Sequence, residues 1–218
     1  HDLPFPTTAM INGFCMGGGL EVALACKYRV ALDDPKVRMA FPEVMLGFMP
    51  AWHGVQWLPK VVGPGAALDL LLTGKTVDAK RARRMGLVDQ AVPLRILENT
   101  ARMVTLEAPA KKGLGLVDKL MLSPPGRWLV VSQAKKQVRR KAKREHYPAP
   151  YAILEMWRKY DGDPFISAND PGCSVESVFN HPTTANLIRI FFLQDRLKSL
   201  GKGADFTPRR VHVVGAGV

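Results

Sequence analysis

Met10-Ile-Asn-Gly-Phe-Cys-Met-Gly-Gly-Gly-Leu-Glu-Val-Ala-Leu-Ala-Cys26 carries the reading on which the fold turns. A β-like run, Thr8 to Asn12, passes through Gly13 and the Gly17-Gly18-Gly19 triplet into an apolar helical segment, Leu20 to Cys26. Glycines at a strand-to-helix junction let another group approach the backbone, because no Cβ intervenes. The first N–H groups of a helix lack intrahelical acceptors, and the aligned peptide dipoles add partial positive charge there. Together these can hold an oxygen that gains negative charge. One carboxylate, Glu21, sits in the first turn among Leu, Val, Ala and Cys. Taken alone, the triplet also fits plain backbone packing, with Glu21 an ordinary first-turn acid.

A second acid in a similar setting adds weight to the chemical reading. Met39-Ala-Phe-Pro-Glu-Val-Met-Leu-Gly-Phe-Met-Pro50 is apolar except for Glu43. A carboxylate isolated in such a segment is desolvated, which raises its pKa and suits it to proton transfer. Two lone acids beside an anion-stabilising glycine turn point to acid/base chemistry next to a carbonyl.

Ile11-Asn-Gly13, Gly17-Gly-Gly-Leu-Glu21, Phe41-Pro-Glu-Val-Met-Leu-Gly47 and Pro50 stand in the order found in the enoyl-CoA hydratase/isomerase (crotonase) family. Leu72-Thr-Gly-Lys75 and Ala79 through Met85-Gly-Leu-Val-Asp89 continue the pattern, so the resemblance covers roughly residues 4 to 92. It implies that the Gly18 N–H is half of an oxyanion hole for an acyl-CoA thioester, and that Glu21 and Glu43 orient water and shuttle the proton. One departure stands out. Where the family runs Pro-Gly-Ala-Gly-Gly-Thr-Gln-Arg-Leu-Pro, this chain reads Pro50-Ala-Trp-His-Gly-Val-Gln-Trp-Leu-Pro59. Trp52 and His53 either reshape the acyl channel or mark drift in a compensated loop.

At 218 residues and 47% hydrophobic content, the chain can bury a sizeable core in one domain or two. No apolar run is long enough to span a bilayer, which leaves a soluble protein as the expectation. Cys15, Cys26 and Cys173 form no C-x-x-C pair, as expected of a reducing compartment. A bacterial cytoplasm, with the mitochondrial matrix as alternative, is the matching localisation. The five histidines are scattered singly, so no metal site is expected.

Tyr28 to Leu32 and Val37 to Phe41 read as strands joined by a turn at Asp33-Asp34-Pro35. Trp52 to Val62, Ala66 to Leu72 and Asp78 to Arg84 read as short helices, and Leu87 to Val92 as a strand. Beyond Pro93 the pattern is helical: Leu94 to Leu106, a looser stretch from Lys111 to Pro125, then Trp128 to Arg144. Tyr147-Pro-Ala-Pro150 breaks that helix, and helices follow from Tyr151 to Tyr160 and from Ser174 to Leu200, the latter interrupted near Pro182.

Charge is concentrated in this part. Between Lys111 and Glu145 eleven Lys and Arg stand against Asp118 and Glu145, a net +9 within the chain's +12. No nucleic-acid signature accompanies them, so nucleic acid is not an expected partner. A solvated helix face near the CoA phosphates or a partner subunit is expected, with an anionic membrane surface as the other reading.

At the end, Arg209-Arg-Val-His-Val-Val-Gly-Ala-Gly-Val218 reads as a strand followed by Gly215-x-Gly217, the opening of a dinucleotide fingerprint. In this order the chain resembles the multifunctional α-subunit family of fatty-acid oxidation, which joins enoyl-CoA hydratase to an NAD-dependent 3-hydroxyacyl-CoA dehydrogenase. That resemblance implies an α/β chain: a partial crotonase-like ββα superhelix, linker helices, and the first strand of a Rossmann-type domain. The expected divisions are 1–92 hydratase core, 93–208 helical linker region and 209–218 dehydrogenase start. It also implies NAD at Gly215 and Gly217 and a thiolase subunit as partner. The stretch reads as an internal fragment, with the other oxyanion amide upstream. By itself it is then expected to be inactive, to leave NAD unbound and to expose apolar surface around Phe41 and Met45. Two rivals stand beside hydration: a Δ3-Δ2 enoyl-CoA isomerase of the same fold, and a non-catalytic basic assembly or membrane-docking segment.

Overall fold

The computed structural model describes residues 3–200. Among these residues the order is β1 (Thr8–Ile11), β2 (Phe14–Met16), α1 (Gly18–Ala25), β3 (Tyr28–Leu32), β4 (Arg38–Ala40) and a 3-10 turn (Pro42–Leu46). Then come α2 (Gly54–Val62), α3 (Pro64–Thr73), α4 (Ala79–Arg84), β5 (Gln90–Val92), α5 (Leu94–Glu107) and α6 (Leu116–Leu122). The last four are α7 (Pro124–Lys141), α8 (Ala149–Tyr160), α9 (Val175–Phe179) and α10 (Pro182–Ser199).

The strands form two parallel sheets, β1-β3-β5 and β2-β4. The first two turns of chain each add one strand to each sheet and then cross back through helical backbone, and the third adds β5 to the first sheet; this is the ββα superhelix of the crotonase fold. Register is fixed by burial: Thr8 pairs with Tyr28 and Ile11 with Ala31, while Phe14 pairs with Arg38 and Met16 with Ala40. Val37, Met39 and Phe41 are fully buried, as alternation along that strand requires. Phe41 therefore adds nothing to the surface; of the expected apolar pair only Met45, 59% exposed, does so. Phe14–Met16 was not foreseen as a strand, because three residues between glycines carry too little pattern to show pairing.

Several boundaries differ from the sequence reading for local reasons. α1 starts at Gly18 rather than Leu20, so two glycines of the triplet lie inside its first turn. The helix expected from Trp52 starts at Gly54, because His53 takes a left-handed conformation at φ 71°. Only Gln90–Val92 pairs as a strand; the Leu87 and Val88 N–H groups turn back to the Ala82 carbonyl. The loose stretch after Lys111 contains α6, and α7 begins at Pro124 with the Ser123 hydroxyl accepting from the Gly126 N–H. Asp78 caps α4 by accepting from the Arg81 N–H at 2.7 Å.

One hydrophobic core includes residues from both sides of position 92: Leu20, Met39 and Leu58 on one side, Ile153, Leu154 and Trp157 on the other. α8 is buried from Ala149 through Trp157, and it packs on α2, α3 and α7. A helix apolar on all sides belongs inside a fold. Its one acid, Glu155, is held by Lys135 from α7 and by Arg158 at 2.7 Å. Tyr28, Val30, Leu97 and Val104 form a second small cluster under α5. No described helix is long and apolar enough to cross a membrane. Gly215, Gly217 and the strand expected from Arg209 lie outside the described residues.

Candidate active site

Gly17 decides the local geometry. Its φ of 53° and ψ of −126° suit glycine, and its N–H donates to the Ala40 carbonyl at 2.9 Å, which ties the start of α1 to the end of β4. A Cβ on Gly17 would collide with the Glu43 carboxylate. Glu43, on the 3-10 turn after β4, thus lies directly against the backbone that opens α1. Gly18 and Gly19 follow as the first two residues of the helix, where N–H groups have no intrahelical acceptor.

Glu21 lies one turn into α1, only 3% exposed. Its Oε1 accepts from the Trp52 N–H at 2.8 Å and the Gly54 N–H at 2.7 Å. The loop can approach this closely because Gly54 has no side chain: a Cβ there would stand 2.9 Å from the Glu21 Oε1 and 2.8 Å from the Phe41 ring. Burial pushes the Glu21 carboxyl up, while the Gly54 and Trp52 N–H groups and nearby His53 pull against that push. Glu43 is 7% exposed, and its Oε2 is buried with no partner. Burial raises Glu43 to about 7, its own backbone N–H opposes this, and the charge of Glu21 pushes it further up.

The two acids therefore differ in kind. Glu21 is furnished with donors that favour its charged form, and Glu43 is left where a proton costs least. Environments that separate two carboxyl groups in this way equip one as base and the other as acid.

The structure brings Gly18, Glu21 and Glu43 together at one end of α1. Trp52 joins them: its ring comes within 3.2 Å of the place a Gly18 Cβ would take, with 62% of the residue exposed. His53 does not point there. Its ring stacks on Trp57 with centroids 4.8 Å apart and meets Gln56 Oε1 at 2.9 Å. Of the two substitutions, only the indole stands at the site.

Sequence reasoning missed the groups that hold the 3-10 turn. The Tyr147 hydroxyl donates to the Val44 carbonyl, and the Thr184 hydroxyl to the Gly47 carbonyl at 2.8 Å. Both contacts span more than a hundred residues, and neither a loop tyrosine nor a threonine in a helix's first turn gives a local hint of them. Among the described residues no group of three or more His, Cys, Asp or Glu could hold a metal ion.

Comparison with known proteins agrees with the fold. The chain is 40% identical over 217 residues to the fatty acid oxidation complex subunit alpha of Aliivibrio fischeri, covering 99% of this chain and 31% of that protein. It is 41% identical over 222 residues to the subunit of the same name from Vibrio cholerae, covering 98% and 31%. It thus spans about a third of the length of these relatives. The crystal structure of a candidate enoyl-CoA hydratase from Streptomyces avermitilis superposes with a TM-score of 0.55 at 21% identity, over 94% of this chain and 59% of that one, which speaks for the fold. The family model Enoyl-CoA hydratase/isomerase matches residues 1–123, and the chain belongs to that family.

Proposed function

We propose that this chain forms the hydratase part of a fatty-acid β-oxidation protein and adds water to trans-2-enoyl-CoA thioesters. The carrying observation is the pair of buried acids at the N-terminus of α1, one supplied with N–H donors and one with an unpartnered oxygen. In this reading Glu21 takes a proton from water as the water oxygen bonds to C3. Electron density moves to the thioester oxygen, which rests on the Gly18 N–H. Glu43 delivers its proton to C2, and exchange with solvent returns the proton from Glu21 to Glu43. The sum is one water added across the double bond. Isomerisation by the same fold needs only one acid to move a proton, so two buried acids, of which Glu21 alone has donors from the Trp52 loop, favour hydration.

The longer protein implied by the relatives adds further proposals. They are NAD-dependent 3-hydroxyacyl-CoA dehydrogenation beyond Gly215 and Gly217, a thiolase subunit as partner, contact with an anionic membrane through the basic helices, and a bacterial cytoplasmic setting. The proposed units remain 1–92, 93–208 and 209–218.

The test uses a chimera in which residues 1–200 replace the matching segment of the Vibrio cholerae relative. Glu21→Gln and Glu43→Gln should each lower crotonyl-CoA hydration by about 10²–10⁴-fold, the worth of a positioned acid or base, with thioester binding little changed. Near-normal hydration by the Glu43→Gln chimera would sink the assignment. Conversion of trans-3-hexenoyl-CoA without hydration would transfer it to the isomerase.

A further inference from the structure

At the far end of α1 from Glu21, an open cavity of about 970 Å³ lies between the C-terminus of α4, the start of β3 and the segment after α5. From Glu21 to Ala25 at that end of α1 is four residues, roughly 6 Å along the axis at 1.5 Å per residue. Six cationic side chains line the cavity: Arg29, Lys60, Arg83, Arg84, Lys111 and Lys112. Asp89 and Asp118 are the acids on its wall.

Part of this charge is committed. The Arg29 guanidinium is buried against the Leu87 carbonyl at 2.6 Å and the Cys26 carbonyl at 3.0 Å. Lys60 pairs with Asp161 at 2.5 Å. Asp89 accepts from the Arg29 backbone N–H and reaches Lys111 only at 4.0 Å. Among the described residues Arg83, Arg84 and Lys112 take part in no ion pair. Positive charge is thus in excess on a concave surface. Burial pushes Lys111 down, the charges of Arg29 and Lys27 push the same way, and Asp89 only partly opposes them. An anion in the cavity would relieve that repulsion.

The segment that closes the cavity is suited to the same task. Ala110-Lys-Lys-Gly-Leu-Gly115 is anchored where the Tyr28 hydroxyl donates to the Pro109 carbonyl at 2.7 Å. The 110–115 stretch makes no other backbone hydrogen bond through its N–H groups among the described residues. A basic, glycine-containing segment with free N–H groups offers charge-assisted donors to phosphate oxygens.

We propose that this cavity is a binding site for a small phosphate-bearing anion, of the diphosphate class, held by Arg83, Arg84, Lys111 and Lys112. Tyr28 is buried, with the Lys27 and Lys111 ammonium groups over its ring, and offers no face for a base to stack on, so the recognised group is the phosphate itself. The volume matches small-molecule sites rather than an extended surface.

The experiment is calorimetric titration of the 218-residue chain with sodium pyrophosphate at about 0.15 M salt, where loose surface attraction is screened. Saturable binding at one site is expected. Arg84→Gln with Lys112→Gln should weaken it by about tenfold or more, since two charge-assisted contacts are lost. Both side chains are exposed, so the fold should survive, and circular dichroism checks this. Lys136→Gln with Arg140→Gln on α7 should leave binding unchanged. Absence of saturation up to about 10 mM, an affinity too weak for a built site, would overturn the proposal. So would an equal loss in the α7 variant, which would mark general attraction. In a parallel arm, the chain is sedimented with phosphatidylglycerol vesicles. Retention there without pyrophosphate binding would assign the phosphate to lipid headgroups and reject a small-molecule site.

Discussion

Glu43 is the residue whose environment says most. Its carboxyl is raised from 4.5 to about 7, so between those values the folded chain keeps a proton that the unfolded chain has lost. Stability must then fall as pH rises through that window, with no penalty from this group below it and no further loss above it. Glu21 is raised as well and acts in the same direction. Against the upward push of burial, Lys135 and Arg158 hold Glu155 below its ordinary value, and Lys159 does the same for Asp170; these give the opposite slope but are common to wild type and variant. Glu43→Gln should therefore be more stabilising, relative to wild type, at about pH 8 than at about pH 4.5. Urea midpoints of the two proteins at both pH values measure this. An identical difference at the two pH values would mean that the carboxyl is not perturbed.

Elements after position 93 act on the site by fastening what carries it. The 3-10 turn holds Glu43 but is too short to fix its own orientation, and Gly47 closes it at φ 80°. Thr184, in the first turn of α10, is 1% exposed, and its hydroxyl bridges the Gly47 and Val178 carbonyls, each at 2.8 Å. Thr184→Val keeps the shape and removes the donor. It should cost about 1–3 kcal/mol, the penalty for taking the hydroxyl donor from the Gly47 carbonyl, since the Val178 carbonyl keeps the His181 N–H. Chemical denaturation reads the cost, and the chimera should lose turnover as the turn loosens. A variant as stable as wild type would show that α10 merely rests on the turn.

Over the whole molecule, α8 binds the ββα layers to the later helices. Trp157 is fully buried, and the core that contains it also contains Leu20 and Met39. Trp157→Ala should remove about 3–5 kcal/mol of stability, a transfer loss with a cavity term added. The loss should appear as one shifted transition in both far-ultraviolet dichroism and tryptophan fluorescence, because a shared core unfolds as a unit. Two separated transitions would mean that the later helices fold apart from the sheets.

Much of this was legible in the chain itself. Strand, glycine triplet and apolar helix at Met10 to Cys26 are local patterns, and so are the capping Asp78 and the break at Pro182. Glu21 and Glu43 were marked by isolation alone, since a charge in an apolar run must find an exceptional place. What local pattern could not carry was pairing across distance. That β2 joins β4, that Gly17 yields its side-chain space to Glu43, and that Gly54 and Trp52 furnish donors to Glu21 are facts of tertiary packing. The same holds for Tyr147 and Thr184, whose hydroxyls reach back to the 3-10 turn, and for the cations gathered around the cavity at the far end of α1. Sequence determined which residues are costly to bury; only the folded chain decided which neighbours offset that cost, because those neighbours meet through contacts that leave no periodic trace.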